Sequence, residues 1–250
     1  MAFEFGEVET NFNKAAEWIA DASGHGSDLV LLPELWASGY DLSNWLRYAT
    51  PLDEGLFPRI ADLAKEYKIA VGCSLLEERD GKAFNTFVIY GPDGTRWGEY
   101  RKIHRFRLLE EEKWLGAGES LGLIDSPWGP IGLAVCYDLR FPEMFRPYAL
   151  AGSKLILIVA EWPERRVAHW SKLLMARAIE NQCFVAGTNK VGESLGAKLG
   201  GRSAVIDPWG ETLVEGDDQE ALLTVEIELK EADKARRFIP VFKDRRTDLY

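Results

Sequence analysis

A cysteine at the end of an apolar run is the residue in this chain best suited to covalent chemistry. Residues 131–145 read IGLAVCYDLRFPEMF, so the run ends at Cys136 and polar residues follow at once. The run predicts a buried strand, and Pro142 falls in the first turn of a predicted helix, where proline is tolerated. This geometry would hold the thiol at a sheet edge, beside backbone N–H groups that can stabilise an oxyanion. A thiol in that position can attack an acyl carbon.

An acid and an amine follow two other predicted β-elements. Glu34 comes after a short apolar strand, residues 28–32, and should lie past its carboxyl end, where open α/β sheets bind ligands. Lys102 leaves a predicted hairpin in which FNTFVIY and TRWGEY flank the turn GPDG. We therefore expect Glu34 to act as the base for Cys136 and Lys102 to supply a positive charge.

Ordinary structural roles and a histidine-based mechanism are the alternatives. Most cysteines at strand ends are small buried hydrophobic residues, and most glutamates and lysines after a strand are solvated. Cys73 and Cys183 are expected to be such core thiols. Spacing also permits a papain-like pair of Cys136 with His104 or His169, although we expect both histidines to be structural.

Three segments of the chain resemble a known family. PELWASGY around Glu34, YRKIHRF around Lys102 and GLAVCYDLRFPEMFR around Cys136 are similar to the signature segments of the nitrilase superfamily of carbon-nitrogen hydrolases. The resemblance covers nearly the whole chain, and it implies a Glu-Lys-Cys triad on a four-layer αββα sandwich whose subunits usually pair. By the same match, Glu111 in LLEEEKWLGAGE corresponds to a second glutamate that supports the site in many members, with the glutamates at 110 and 112 as alternatives.

A longer segment narrows the expected reaction. AEWPERRVAHWSKLLMARAIENQCFVAGTNKVG resembles the ω-amidase branch, whose members act on 2-oxoglutaramate and related ω-amides of 2-oxo acids. We therefore expect a hydrolase that cleaves the C–N bond of a small carboxylate-bearing amide through a cysteine thioester. Other amidases or N-carbamoyl amidohydrolases of the superfamily are the enzymatic alternatives, and a binding protein on the same fold is the non-enzymatic one.

Further residues are assigned to the oxyanion and to the substrate. The N–H of Tyr137 and the Lys102 ammonium are expected to stabilise the oxyanion. Tyr40 and Trp162 are aromatic residues that could line a substrate pocket. A substrate carboxylate requires a cation, and four arginines are candidates for a bidentate contact. They are Arg140, Arg105, Arg107 and Arg165, of which the first is nearest to the nucleophile in sequence.

Composition argues against several other classes of protein. The 250 residues are 46% hydrophobic and carry a net charge of −10, which disfavours a polyanionic partner such as nucleic acid. No segment has the apolar character of a membrane span or a secretory signal, so we expect a cytoplasmic protein. The three cysteines include no CxxC pair, which disfavours a disulfide framework or a zinc site. We expect no metal and no cofactor.

The order of elements predicts an α/β (α+β) fold with mixed sheets in a single domain, residues 1–250, because hairpins interrupt an alternation of helices and strands. Asn11 is expected to cap the first helix, and strands are predicted at 203–207, 211–215 and 221–227. The tail, about 238–250, is apolar in part and is expected to pack in a homodimer interface. Family members generally begin with an inner strand, and Met1 falls within the matching region. We therefore expect either a start upstream or a sheet without that strand.

Overall fold

This computed structural model describes residues 1–249, which fold into two large β-sheets flanked by helices, with a separate two-stranded antiparallel sheet formed by residues 193–194 and 197–198. The strands are β1 (Leu29–Leu31), β2 (Ala70–Arg79), β3 (Lys82–Tyr90), β4 (Arg96–Arg101), β5 (Gly122–Ile124), β6 (Ile131–Val135), β7 (Leu155–Ala160), β8 (Phe184–Asn189), β9 (Glu193–Ser194), β10 (Ala197–Lys198), β11 (Ala204–Ile206) and β12 (Thr212–Glu215). The helices are α1 (Val8–Gly24), α2 (Leu56–Tyr67), α3 (Glu111–Trp114), α4 (Pro142–Leu150), α5 (Val167–Asn181) and α6 (Lys230–Phe238). Short 3-10 turns span Leu42–Arg47, Arg107–Leu109, Cys136–Arg140 and Glu164–Arg166.

The first sheet is mixed, and two helices cover its outer face. Its strand order is β1-β2-β3-β4, with β1 parallel to β2 and the other pairs antiparallel. The predicted hairpin is confirmed as β3 and β4. Apolar residues at helical spacing turn one side of α1 and of α2 toward the sheet, so that Ile19 and Ile60 share a buried cluster with Val71.

The second sheet carries Cys136 and is also mixed. Its order is β12-β11-β8-β7-β6-β5; β6, β7 and β8 run parallel, and the remaining neighbours are antiparallel. Strands β6 and β7 are buried along their whole length, as their continuous apolar sequences require. Helices α4 and α5 cover the outer face closely, because an added Cβ at Gly132 would lie 2.6 Å from the Tyr148 ring and one at Gly187 2.8 Å from the Trp170 ring.

The two sheets pack face to face between the helical layers. Phe87, Ile89 and Tyr100 of the first sheet belong to the same buried cluster as the residues of β6 and β7. The approach is close at Gly98, where an added Cβ would lie 2.5 Å from Cγ2 of Ile124 on the opposite sheet. The expected four-layer αββα sandwich with mixed sheets is confirmed.

Two local predictions are wrong. Helix α1 begins at Val8, and Asn11 lies inside it, because the buried Asn11 amide bonds to distant backbone. Its Nδ2 donates to the carbonyl oxygens of Ala37 at 2.8 Å and Glu4 at 2.6 Å. Residues 221–227 form no strand within the described chain. Apolar and exposed side chains alternate there, but the segment pairs with no strand of the sheets in the described chain.

The N-terminal end of the chain contacts the body of the protein. Residues 1–5 form no strand; the carbonyl of Met1 accepts a hydrogen bond from Val191 N–H at 3.2 Å. The expectation about an inner first strand stays a prediction, as do the single domain and the interface role of the tail, whose last residue, Tyr250, lies outside the described residues. Among residues 1–249, no helix has both the length and the apolar character needed to cross a bilayer.

Candidate active site

Four side chains from separate segments meet in one buried site. Glu34 lies just past β1, Lys102 directly follows β4, Glu111 begins α3, and Cys136 directly follows β6. Lys102 Nζ lies 2.9 Å from Glu34 Oε1 and 2.7 Å from Glu111 Oε1. The two carboxylates and the ammonium are shielded from solvent, whereas Cys136 retains 8% exposure. The structure thus brings together the acid, the amine and the thiol that the sequence singled out.

The turn at Cys136 is strained and is held by one buried aspartate. Cys136 has a φ of 46°, in the left-handed region. That region costs an ordinary residue about 1–2 kcal/mol. Asp138 accepts hydrogen bonds from the N–H before the cysteine at 2.9 Å, from Tyr100 O–H at 2.8 Å and from His104 N–H at 3.1 Å. Because Tyr100 and His104 flank Lys102 in sequence, Asp138 fixes the thiol-bearing turn to the segment that carries the amine.

The two oxygens of Glu34 have different surroundings. Oε1 accepts hydrogen bonds from Tyr40 O–H at 2.6 Å, Asn85 Nδ2 at 2.8 Å and Lys102 Nζ at 2.9 Å. Oε2 accepts one from Glu161 N–H at 2.9 Å. A carboxylate oxygen has about two lone-pair sites, so Oε2 is the oxygen that can still accept a proton.

The charges of the site shift the pKa of each member. Burial disfavours the ionised form of Glu34, but the Lys102 ammonium and the Tyr40 hydroxyl outweigh it, and the pKa of Glu34 is lowered. Burial and the Glu34 charge raise the pKa of the Cys136 thiol well above its ordinary value. Burial opposes the charge of Lys102, yet Glu111 and Glu34 together raise the pKa of Lys102. The resting site therefore holds a neutral thiol beside an ionised Glu34 and a charged Lys102.

Of three successive glutamates, Glu111 is the buried one, and its neighbours on either side are exposed. Its Oε1 faces Lys102 Nζ at 2.7 Å and Tyr40 O–H at 2.9 Å, and its Oε2 accepts a hydrogen bond from Phe106 N–H at 2.8 Å. Burial raises the pKa of Glu111, with the Lys102 charge acting in the opposite direction. The structure therefore places this glutamate, at the position the sequence favoured, against the amine.

A cavity of about 150 Å³ opens onto Cys136. Its lining includes Tyr40, Trp162, Arg140 and Arg165, which were expected to serve the substrate, together with Tyr137 and one further arginine, Arg166. The Arg140 guanidinium lies over the Trp162 ring, 4.6 Å from its centroid. Burial lowers the pKa of Arg166, and the charges of Arg165 and Arg140 lower it further. Within residues 1–249, no carboxylate forms an ion pair with these three guanidinium groups, so the cavity wall is strongly positive.

Other candidates are held elsewhere. Arg105 donates to the carbonyl of Leu115 at 3.0 Å, and Arg107 is exposed and does not line the cavity. His104 Nδ1 lies 2.8 Å from Asp138, and His169 Nδ1 lies 3.4 Å from Arg140 at the surface. In the described chain neither histidine hydrogen-bonds Cys136, so the arrangement does not support the papain-like alternative.

Several residues of the site were not predicted from the sequence. Glu161 follows an apolar strand just as Glu34 does, and that shared pattern could have identified it. Asn85 lies in a hairpin strand and Arg166 adjoins an arginine already considered; neither position carries a distinguishing pattern. Across residues 1–249, no group of three His, Cys, Asp or Glu side chains is arranged to hold a metal ion.

The sequence and the fold are similar to those of known proteins. Residues 4–237 match the model of the carbon-nitrogen hydrolase family, and the chain belongs to that family. It is similar to 2-oxoglutaramate amidase of Bacillus subtilis (strain 168), with 39% identity over 98% of this chain and 95% of the relative. It is also similar to omega-amidase NIT2 of Homo sapiens, with 35% identity over 96% of this chain and 91% of the relative.

A solved structure supports the same assignment. XC1258 from Xanthomonas campestris, a CN-hydrolase superfamily protein with an arsenic adduct in its active site, superposes with a TM-score of 0.91 and 32% identity, covering 98% of this chain and 94% of that one. The expected superfamily, its fold and an activity on a non-peptide C–N bond are confirmed.

Proposed function

We propose that this protein is an ω-amidase that hydrolyses a small carboxylate-bearing amide, such as 2-oxoglutaramate, to an acid and ammonia. The observation that carries the proposal is a thiol beside a buried acid–amine cluster, facing a cavity with three unneutralised arginines. The similarity to 2-oxoglutaramate amidase supports the same class of substrate.

The reaction begins with attack of the Cys136 sulfur on the amide carbonyl. Glu34 accepts the thiol proton at Oε2, the oxygen with spare capacity. Because the pKa of the thiol is raised and that of Glu34 is lowered, this transfer is unfavourable in the resting site and accompanies formation of the C–S bond. Lys102 and the N–H of Tyr137, in the first turn of the 3-10 segment, stabilise the oxyanion that forms.

The second half of the reaction reuses the same acid. Glu34 donates its proton to the departing nitrogen, the C–N bond breaks, and ammonia leaves a thioester on Cys136. Glu34 then takes a proton from water as the water oxygen attacks the thioester carbon. Collapse of that intermediate breaks the C–S bond, releases the carboxylic acid and returns the proton to sulfur.

The arginines determine the preference for a carboxylate. Arg140, Arg165 and Arg166 line the cavity that opens onto the nucleophile, and guanidinium groups bind carboxylates in a bidentate manner. Their charge also disfavours a substrate that carries an ammonium group at the same end. The substrate end remote from the reacting amide is therefore an anion without a neighbouring cation.

The test is ammonia release from a panel of compounds. The panel contains 2-oxoglutaramate, glutamine, simple aliphatic amides, nitriles and N-carbamoyl amino acids, with Cys136→Ala as the control for background. We expect 2-oxoglutaramate to be the preferred substrate. Replacing Arg166 by methionine should raise KM for it by about 10–100-fold and change kcat little, since a charge-assisted contact stabilises substrate and transition state alike. A preference for uncharged amides would overturn this substrate class.

Compartment and assembly are part of the proposal. All three cysteines are free thiols, which suits a reducing cytoplasm. A second copy of the chain would cover an exposed apolar patch in which Trp209 contacts Phe238 with ring centroids 5.8 Å apart and Met175 and Ile179 lie beside Gly210. Light scattering during size-exclusion chromatography gives the molar mass and so tests the homodimer. Charged substitutions at Ile179 should yield monomers.

A further inference from the structure

A second buried ion pair lies beside the site, at the ends of two neighbouring parallel strands. Glu161 follows β7 and Lys190 follows β8, and the last residues of these strands, Ala160 and Asn189, are paired in register. Lys190 Nζ lies 2.5 Å from Glu161 Oε2, and the two side chains are 5% and 4% exposed. A buried ion pair loses its hydration and adds little net stability, so stability alone does not account for it.

The backbone of Glu161 contacts both the base and the nucleophile. Its N–H donates to Glu34 Oε2 at 2.9 Å, and its carbonyl oxygen lies 4.0 Å from the Cys136 sulfur, where the thiol can donate to it. Oε2 accepts this N–H, whereas Oε1 accepts three other donors, and the Cys136 thiol also hydrogen-bonds the Glu34 carboxylate. The orientation of Oε2 relative to the sulfur therefore depends on where the peptide of Glu161 lies.

Lys190 holds the residue that follows the base. Its Nζ donates to the carbonyl of Leu35 at 3.3 Å. Leu35 has a φ of 44°, in the left-handed region that disfavours a leucine, and its N–H is held by Ser74 Oγ at 3.0 Å. Together with the covalent link from Glu34 to Leu35, these contacts connect Glu34, Glu161 and Lys190 in a closed ring. Lys190 fixes the strained residue after Glu34, while its partner Glu161 fixes the carboxylate itself.

We propose that Glu161 and Lys190 are a positioning pair that holds Oε2 of Glu34 toward the Cys136 sulfur, an inference that rests on the role proposed above for Glu34. The pair acts through Glu34 on the thiol. When either charge is removed, the Glu161 peptide N–H that Oε2 accepts is no longer held in place, the carboxylate is less stabilised, and Glu34 ionises at higher pH. The other titratable groups around Glu34 are Tyr40, Lys102, Glu111 and Cys136, and they are the same in every variant.

The test is the pH dependence of Cys136 alkylation by iodoacetamide, followed by mass spectrometry of the full-length protein. This readout does not require the amide substrate to be known. In Lys190→Met and Glu161→Gln, the alkylation rate at neutral pH should fall about tenfold, and its acid limb should move up by roughly one pH unit. With 2-oxoglutaramate, kcat should fall by a similar factor while KM stays within about twofold, because the arginines are untouched.

Two further variants complete the design. The double variant Glu161→Gln/Lys190→Gln leaves no lone buried charge and carries the test if the single variants do not fold. Lys190→Arg restores the charge and should recover part of the alkylation rate. Glu164→Gln is the matched control, since it removes the exposed pair with Lys198 at 2.7 Å near the same strand end and should change nothing.

The outcomes separate this proposal from the proposed function. The positioning role is overturned if a folded variant without the charges keeps the wild-type alkylation rate. It is also overturned if the rate falls but the acid limb of its pH profile stays in place. A wild-type protein that is alkylated as expected but releases no ammonia from ω-amides overturns the substrate class and leaves the positioning role standing.

Discussion

The substitution Glu111→Gln preserves the shape of the side chain and removes its charge. Both oxygens of Glu111 face hydrogen-bond donors, with Lys102 Nζ at Oε1 and Phe106 N–H at Oε2. Glutamine has one oxygen and one NH₂ group, so in either orientation its NH₂ must face a donor. A buried donor left without an acceptor costs about 1–3 kcal/mol. We expect the free energy of unfolding to fall by that amount, out of a typical total of about 5–15 kcal/mol.

The same change weakens the support of the amine. Lys102 loses one of the two carboxylates that raise its pKa, and it loses the shorter of its two ion-pair contacts. Removal of one preorganised group near a developing oxyanion reduces kcat on the order of 10²–10³-fold. KM for an ω-amide should change little, because the cavity arginines are untouched.

Two measurements check this prediction. Urea unfolding is followed through the fluorescence of the nine tryptophans, and kcat and KM come from ammonia release. Glu110→Gln and Glu112→Gln are matched controls, because both side chains are exposed and each change removes the same charge. The reasoning is refuted if Glu111→Gln keeps both its unfolding free energy and its kcat, or if a control loses as much.

Two further predictions follow from buried groups. Burial raises the pKa of Cys183 from 9.0 to about 12, so its contribution to stability is complete below pH 9 and is lost as the pH rises toward 12. In urea unfolding, the wild-type free energy should fall by about 1 kcal/mol between pH 9 and 10 through this thiol, and Cys183→Ala should lack that part of the decline; equal declines would contradict this. Tyr40→Phe removes the O–H that Glu34 accepts at 2.6 Å. It should reduce kcat by about 10–100-fold, and an unchanged kcat in ammonia release would show that this hydroxyl is dispensable.

Strand ends explain why much of the site could be predicted. Cys136 and Lys102 directly follow strands, and Glu34 lies three residues past one; an apolar run that stops at a polar residue is visible in a single sequence. The layered fold followed from the alternation of helices, strands and hairpins together with the family resemblance. These features depend on local pattern, which a sequence displays.

The remaining features depend on contacts between distant residues. Asn11 has the composition of a helix cap, but its amide is taken by the carbonyl of Ala37, so the helix begins earlier. Glu161 and Lys190 look like ordinary charged residues after buried strands until their side chains are seen to meet. Residues 221–227 have the alternation of a strand, yet a strand also requires a partner edge, which its own sequence does not specify.

The side chains to which we assign catalytic and positioning roles are divided between the two large sheets. Glu34 and Lys102 belong to segments of the first sheet, whereas Cys136 and Glu161 follow strands of the second, so the hydrogen bond from Glu161 to Glu34 crosses the central layer boundary. Turnover therefore reports the alignment of one layer on the other. A shift of one sheet against the other by about a bond length would abolish activity, although the hydrogen bonds between strands within each sheet stayed intact. On gentle warming, activity should therefore be lost before the circular dichroism signal of the strands changes.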